Sequence, residues 1–155
     1  MRKATIEEID SWMGPASVKR SLTKALGTED VSMNYYELEP GDSFGFGYHR
    51  HPGQEEVFYI MAGTATFETE DGEVTVEAGE AIRFEPGEWQ LGRNADERTV
   101  RALAVGAPAD ERETDLHREC DNCGGRQPTR IERAEDEDAL VTICESCGTE
   151  TGRYR

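Results

Sequence analysis

"PGDSFGFGYHRHPGQEEVFYIMAG" runs from Pro40 to Gly63 and holds two of the chain's three histidines, His49 and His51. On a strand, residues two apart point to the same side, so these two imidazoles face one way together. Turned inward, they converge and suit a borderline divalent cation. A carboxylate from the following strand would complete the set. Parity does not choose it: Val57, Tyr59 and Met61 go with Glu55, while Phe58 and Ile60 go with Glu56, and both groups are apolar. A pair of surface histidines on a metal-free barrel is the alternative.

Working outward, short runs rich in Val, Ile, Phe, Tyr and Thr alternate with Gly, Pro and Asp punctuation. "VSMNYYEL", "VFYIM", "TATFETE", "EVTVEA", "AIRF" and "TVRALAV" each read as a strand. Pro40-Gly41, Ala78-Gly79 and Pro86-Gly87 mark turns, and Asp71-Gly72 marks a hairpin. Strands at this spacing predict an all-β sandwich or small barrel over residues 31–105. Residues 1–30 form a lead segment. There Thr5 and Glu8 predict a capped helix from Ile6 to Trp12, and Ser21 to Leu26 predicts a further turn ended by Gly27. "GAPADERETD", residues 106–115, reads as a linker, and residues 116–155 carry all four cysteines.

The stretch around His49 resembles the first motif of the cupin superfamily, in which H-x-H is followed by a Glu and then by a Gly after six intervening residues. Glu56 and Gly63 have that spacing. "AGEAIRFEPGEWQLGRN" resembles the second motif, with Asn94 in its place and Gln90 where the family carries a fourth histidine ligand. The resemblance implies a double-stranded β-helix, or jelly-roll barrel. It also implies a metal site of His49, His51, Glu56 and Gln90, with Fe, Mn, Ni or Zn as the ion and a homodimer as the assembly. Gln90 departs from the family pattern, and its neutral amide oxygen is a weaker donor than imidazole. The gap from Gly41 to His49 is longer than the family's. Gly45 and Gly47 share parity with His49 and would leave room for a ligand. Gln54 would cap the turn, Trp89 would wall a pocket or join the core, and Arg83 would face away from the interior.

"CDNC" and "CESC" give C-x2-C-x20-C-x2-C from Cys120, Cys123, Cys144 and Cys147, each second cysteine followed by glycine. Four thiolates at this spacing suit tetrahedral zinc and resemble a zinc ribbon. The competing readings are a redox dithiol and a rubredoxin-like iron site, but rubredoxins pack several aromatics and this segment has only Tyr154. With few apolar residues nearby, a metal would supply much of the folding free energy. Pro128 to Ala134 and Ala139 to Ile143 predict a hairpin across the acidic "EDED". His117 falls outside a shell that four cysteines already fill.

Composition narrows the function class. The formal net charge is −16, with three lysines among seventeen basic residues. From Leu116 onward six arginines face nine acids, which argues against nucleic-acid binding. The chain has no long apolar span and no signal-peptide core near Met1, so a soluble cytoplasmic protein is expected. Three functions fit: a metal-dependent dioxygenase or isomerase, a non-catalytic small-molecule binding or sensing module, and a protein-interaction module. The acidic, lysine-poor composition also fits a halophilic cytoplasm, where salt screens self-repulsion. Thermal melts should therefore rise clearly between 0.1 M and 1 M salt, as the Debye length falls from ~10 Å to ~3 Å. A melt indifferent to salt would refute that reading.

Overall fold

The computed structural model describes residues 1–109 and 113–155. Thirteen strands hold about half of the described residues: β1 Val18–Ser21, β2 Ser32–Leu38, β3 Tyr48–Arg50, β4 Glu55–Ala62, β5 Thr64–Thr69, β6 Gly72–Glu77, β7 Ala81–Phe84, β8 Gln90–Arg93, β9 Val100–Ala107, β10 Asp115–Glu119, β11 Arg126–Arg133, β12 Leu140–Cys144 and β13 Glu150–Tyr154. They form an antiparallel sheet ordered β1-β2-β9-β4-β7 and a second ordered β13-β12-β11-β10-β3-β8-β5-β6. The architecture is all-β, as the strand pattern predicts, and is the jelly roll that the resemblance implies. Among the described residues, no helix is long and apolar enough to cross a membrane.

The six strands expected from hydrophobic alternation all form. Their inward faces interdigitate as a core in which Leu38, Phe58, Ile60, Phe67 and Val100 are at most 2% exposed. Each such side chain contributes roughly 1.5–3 kcal/mol by leaving water. Phe44 packs against both Phe58 and Phe67, with ring centroids 4.8 and 5.7 Å apart. Gly92 of β8 lies under those rings, and a Cβ there would overlap Phe67 and Phe44. Asn94, 1% exposed, donates to the carbonyls of Leu38 and Arg98 and ties the end of β2 to the turn before β9.

The lead segment departs from expectation. The helix expected over Ile6 to Trp12 is one 3-10 turn, Ile6–Glu8, and Thr5 makes no side-chain cap. The Arg20 guanidinium takes the carbonyls of Ile6, Glu7 and Ile9, and the Trp12 amide donates to the Lys19 carbonyl at 2.7 Å. Tertiary partners thus claim the groups a helix would have used. β1, not foreseen, pairs with β2, placing Lys19 opposite Tyr36. The single turn α1, Leu22–Leu26, forms as expected, with Ser21 accepting from the Lys24 amide and Gly27 left-handed at φ 69°.

Of the stretch expected as a linker, Gly106 and Ala107 belong to β9, Asp115 opens β10, and residues 110–112 lie outside the described residues. The C-terminal strands are continuous with the barrel. β10 pairs with β3, setting Leu116 opposite His49, and β11, β12 and β13 extend the same sheet. The β11–β12 hairpin across residues 134–139 forms as expected. Its acidic turn is gripped by Arg153, which bonds Asp136 and Glu137, and by Arg155, which bonds Glu137. The long gap between Gly41 and His49 now has a use. Arg118 of β10 donates to the Phe46 carbonyl, to the Tyr154 hydroxyl at 2.6 Å and to the Thr151 carbonyl at 3.0 Å, and the Phe46 ring meets Tyr154 edge-on.

Arg118→Ala leaves those acceptors without a donor. It should lower stability by about 1–3 kcal/mol in a denaturant melt. Arg133→Ala, whose partner Asp138 is as exposed as Arg133 itself, should melt like wild type. Equal melts for the two variants would show that Arg118 does not hold the C-terminal strands to the barrel.

Candidate metal centres

The parity question left open by the sequence is settled by which side of β4 is buried. Phe58 and Ile60 are in the core, whereas Tyr59 and Met61 are 45% and 43% exposed. Glu56 therefore points inward, and Glu55 points out to Arg83 at 2.6 Å. Arg83 is half exposed and also meets Glu85, so it lies on the outside as its position between Ile82 and Phe84 suggested.

His49, Gln90 and Glu56 are gathered from three strands. β3 and β8 place His49 directly across from Gln90, and β4 brings Glu56 over both. The His49 Nδ1–H donates to the Gly47 carbonyl at 2.8 Å, so Nε2 carries a lone pair and no proton. Gln90, 1% exposed, donates from Nε2 to His49 Nε2 and to Glu56 Oε2, each at 3.0 Å. His51 Nε2 lies 3.6 Å from the same Glu56 oxygen, and its Nδ1 is 3.1 Å from the Thr114 hydroxyl. One ligand atom each from His49, His51 and Glu56 lies within 4.8 Å of the others. Two lone-pair nitrogens and a carboxylate oxygen converging in this way are the donor set of a divalent cation site. The hydrogen bonds to Gly47 and Thr114 orient the rings from behind.

Gln90 enters the cluster with its nitrogen, not its oxygen, toward the other three groups, and its buried Oε1 has no partner among the described residues. An orphaned buried carbonyl costs free energy. An amide turned end for end would point that oxygen at the place where the other donors converge. The residues present fit a metal.

A cavity of about 300 Å³ adjoins the cluster. Gly45 is packed against His49, where a Cβ would stand 2.7 Å from Cε1. Gly47 instead lets β10 come close, because a Cβ there would meet the His117 carbonyl at 2.7 Å. Gln54 is buried and donates to the Pro108 carbonyl at 2.7 Å, closing the turn after His51 onto the end of β9. Trp89 lies away from the cavity, stacked on Tyr48 and touching the His117 ring and the Arg50 guanidinium. Sequence reasoning missed Lys19, Asn34 and Tyr36, which line the cavity from β1 and β2. The available signal was the inward parity of Asn34 and Tyr36 with Leu38.

The four cysteine sulfurs also lie within 4.8 Å of one another, with Cys120–Cys147 at 3.6 Å and Cys123–Cys144 at 3.9 Å. A regular tetrahedron with ~2.3 Å metal–sulfur bonds has edges of about 3.8 Å. The two loops are built alike. The Gly124 amide donates to the Cys120 carbonyl and the Gly148 amide to the Cys144 carbonyl, each at 2.8 Å, and both glycines are left-handed at φ 75° and 77°. Thr149 draws the Cys147 thiol down to about 5, and hydrogen bonding with Cys147 pushes Cys123 up to about 12. Four thiols this close cannot all ionise without a cation among them.

The fold and these clusters define a small antiparallel barrel with an inward donor set and an appended four-cysteine module. Residues 34–106 match the Cupin domain family model. That match, together with the jelly-roll fold, supports a cupin barrel over these residues. Over 69 residues the chain is 32% identical to an oxalate-binding protein of Thermotoga maritima, a match covering 44% of this chain. The chain spans 55% of that relative's length. A sugar phosphate isomerase from a cupin superfamily of Silicibacter pomeroyi superposes with a TM-score of 0.61 at 20% identity, covering 96% of this chain and 91% of that one. An oxalate decarboxylase of Thermotoga maritima, assigned by prediction, superposes at 0.59 and 22% identity, covering 68% and 98%.

Burial holds the His49 imidazole below its usual 6.5, although Glu56 opposes the shift. In metal-free protein the unfolded chain therefore takes up a proton near pH 6.5 that folded His49 refuses until lower pH. Stability should fall as pH drops below 6.5 and level off beneath the folded value. His49→Gln should flatten that limb of a pH series of melts, and an unchanged limb would place the loss elsewhere.

Proposed function

We propose that this protein is a metal-dependent cupin in which a barrel ion held by His49, His51 and Glu56 binds a small molecule, and that Cys120, Cys123, Cys144 and Cys147 hold a structural zinc as a zinc ribbon. The observation that carries the reading is the gathering of one ligand atom each from His49, His51 and Glu56 within 4.8 Å of one another, beside a cavity. Nitrogen and oxygen donors suit Fe, Mn, Ni or Zn, and a bound ion would act there as a Lewis acid. Three strong donors and one amide leave coordination positions open toward the cavity, which favours turnover of the dioxygenase or isomerase kind. The similar Silicibacter pomeroyi protein, a sugar phosphate isomerase, supports the isomerase form of this reading. The second reading is binding without turnover, which the name of the oxalate-binding relative supports. A homodimer is supported by the outer face of the first sheet, where Tyr59 and Met61 stand exposed beside Val57 and Leu103.

Calorimetric metal titration with the ribbon zinc in place tests this function. Wild type should take one further ion per chain. His49→Ala should weaken that binding by more than roughly 100-fold, beyond the usual cost of losing a supporting residue. Gln90→His should tighten it. If no further ion binds, the proposal fails; if Gln90→His changes nothing while His49→Ala abolishes binding, Gln90 is a wall of the pocket and not a ligand.

A further inference from the structure

Lys19, Asn34 and Tyr36 form a second polar wall across the cavity from the histidines. Cross-strand partners in an antiparallel pair point the same way. Lys19 sits opposite Tyr36, and Tyr36 is in the core, so Lys19 reaches inward from β1. Its Nζ lies 5.6 Å from the Tyr36 ring centroid. Among the described residues it has no hydrogen-bond or ion-pair partner. It acts electrostatically on both Glu56 and His49, so it stands near the donor cluster. Asn34 lies two residues before Tyr36 on the same face of β2. The Asn34 amide and the Tyr36 hydroxyl likewise bond no described side chain or carbonyl, and both residues line the cavity. A cation, an amide and a hydroxyl without partners are thus aimed into one small space.

We infer that the cavity takes a small carboxylate, held by Lys19 with Asn34 and Tyr36 at one end and by the barrel metal at the other. This rests on the metal reading above and names its ligand class. Burial pulls the Lys19 ammonium down from its usual range, the largest influence on it, and the Glu56 carboxylate offsets only part of the lost water, which leaves a place for a second anion. A carboxylate supplies that anion, and the hydroxyl and amide supply donors for its oxygens. Among the described residues that line the cavity there is one ammonium and no guanidinium, which matches a single negative charge better than a phosphate. A cavity of about 300 Å³ is at the small end for ligand sites and suits a molecule of a few heavy atoms. The chain carries three lysines against fourteen arginines, and the compact ammonium fits where a planar guanidinium would fill the space.

The test uses the full chain with Mn(II) in the barrel and three probes: glycolate, its neutral counterpart glycolamide, and inorganic phosphate. Paramagnetic relaxation of the probe's methylene protons reports binding at the ion, and phosphate is read by its displacement of glycolate. Glycolate should bind wild type, glycolamide should bind at least ten-fold more weakly, and phosphate should not compete at equal concentration. Lys19→Met should lose at least ten-fold in glycolate affinity while its Mn(II) affinity stays within two-fold of wild type. Equal binding of glycolate and glycolamide, phosphate competing better than glycolate, or wild-type glycolate affinity in Lys19→Met would each overturn the inference. The glycolate–glycolamide comparison needs no variant, so it decides even if Lys19→Met does not fold. Normal Mn(II) binding without glycolate binding overturns this inference alone, whereas failure of Mn(II) to bind overturns the metal reading beneath it.

Discussion

The candidate metal centre depends on the double pairing of β3. Three residues make that strand, and it carries His49. Its pairing to β8 is a single register position, His49 with Gln90, while β10 binds its other edge from Asp115 to His117. Without β10, β3 would be a three-residue edge strand, and an edge so short holds its side chains loosely. Arg50, next to His49, is tied to Asp115 of β10 at 2.7 Å. The C-terminal strands therefore stiffen the strand that aims the histidine. A metal bound by the cysteines would act on the barrel through the same ladder, because ordering the ribbon orders β10.

The acidic composition has a structural counterpart. Arginine carries almost all the positive charge, and it is placed where two or more partners can share it. Arg153 meets Asp136, Glu137 and Glu150, while Arg126 meets Glu68 and Glu119 and lies 4.4 Å over the Tyr48 ring. A planar guanidinium supports such shared contacts better than an ammonium. Most of these pairs are exposed and individually weak. Their placement still shows that the excess of acid is organised around the joint between barrel and ribbon and around the acidic turn.

Much of this was legible in the sequence because it is local. Alternating strands bury one face, and Asp71-Gly72 closes β5 onto β6 within two residues. The cysteine loops repeat a short glycine-bearing motif. Three things were not legible, each because a distant partner decides it. The Ile6 to Trp12 helix lost its carbonyls to Arg20, a contact that propensity does not encode. The choice between Glu55 and Glu56 needed to know which face of β4 is covered, since both faces are apolar; only the resemblance to cupins chose Glu56. The residues read as linker and ribbon gave no hint that β10 would add to β3, whose partners lie more than sixty positions away. The second wall of the cavity was missed for the same reason: Lys19 acquires its position only once β1 joins β2.

The two walls beside the cavity are held apart by β9. Its inward residues are Val100, Ala102, Ala104 and Gly106, which shrink toward the metal end. Across the sheet they stand between β2 and β4, with Ala104 flanked by Asn34 and Phe58, and Gly106 flanked by Ser32 and Glu56. The strands of Asn34 and Glu56 therefore lie two sheet spacings, roughly 9.6 Å, apart, and Gly106 lets Gln54 and Ser32 pack close, where a Cβ would stand 2.7 Å from each. The two walls so spaced differ in chemistry. The wall of His49, His51, Glu56 and Gln90 is set to receive a cation. The wall of Lys19, Asn34 and Tyr36 is set to receive an anion. Because both walls are fixed by sheet pairing, the distance between them is set by the fold and not by loop motion. A molecule that satisfies both must be short, oxygen-bearing at each end, and negatively charged at one.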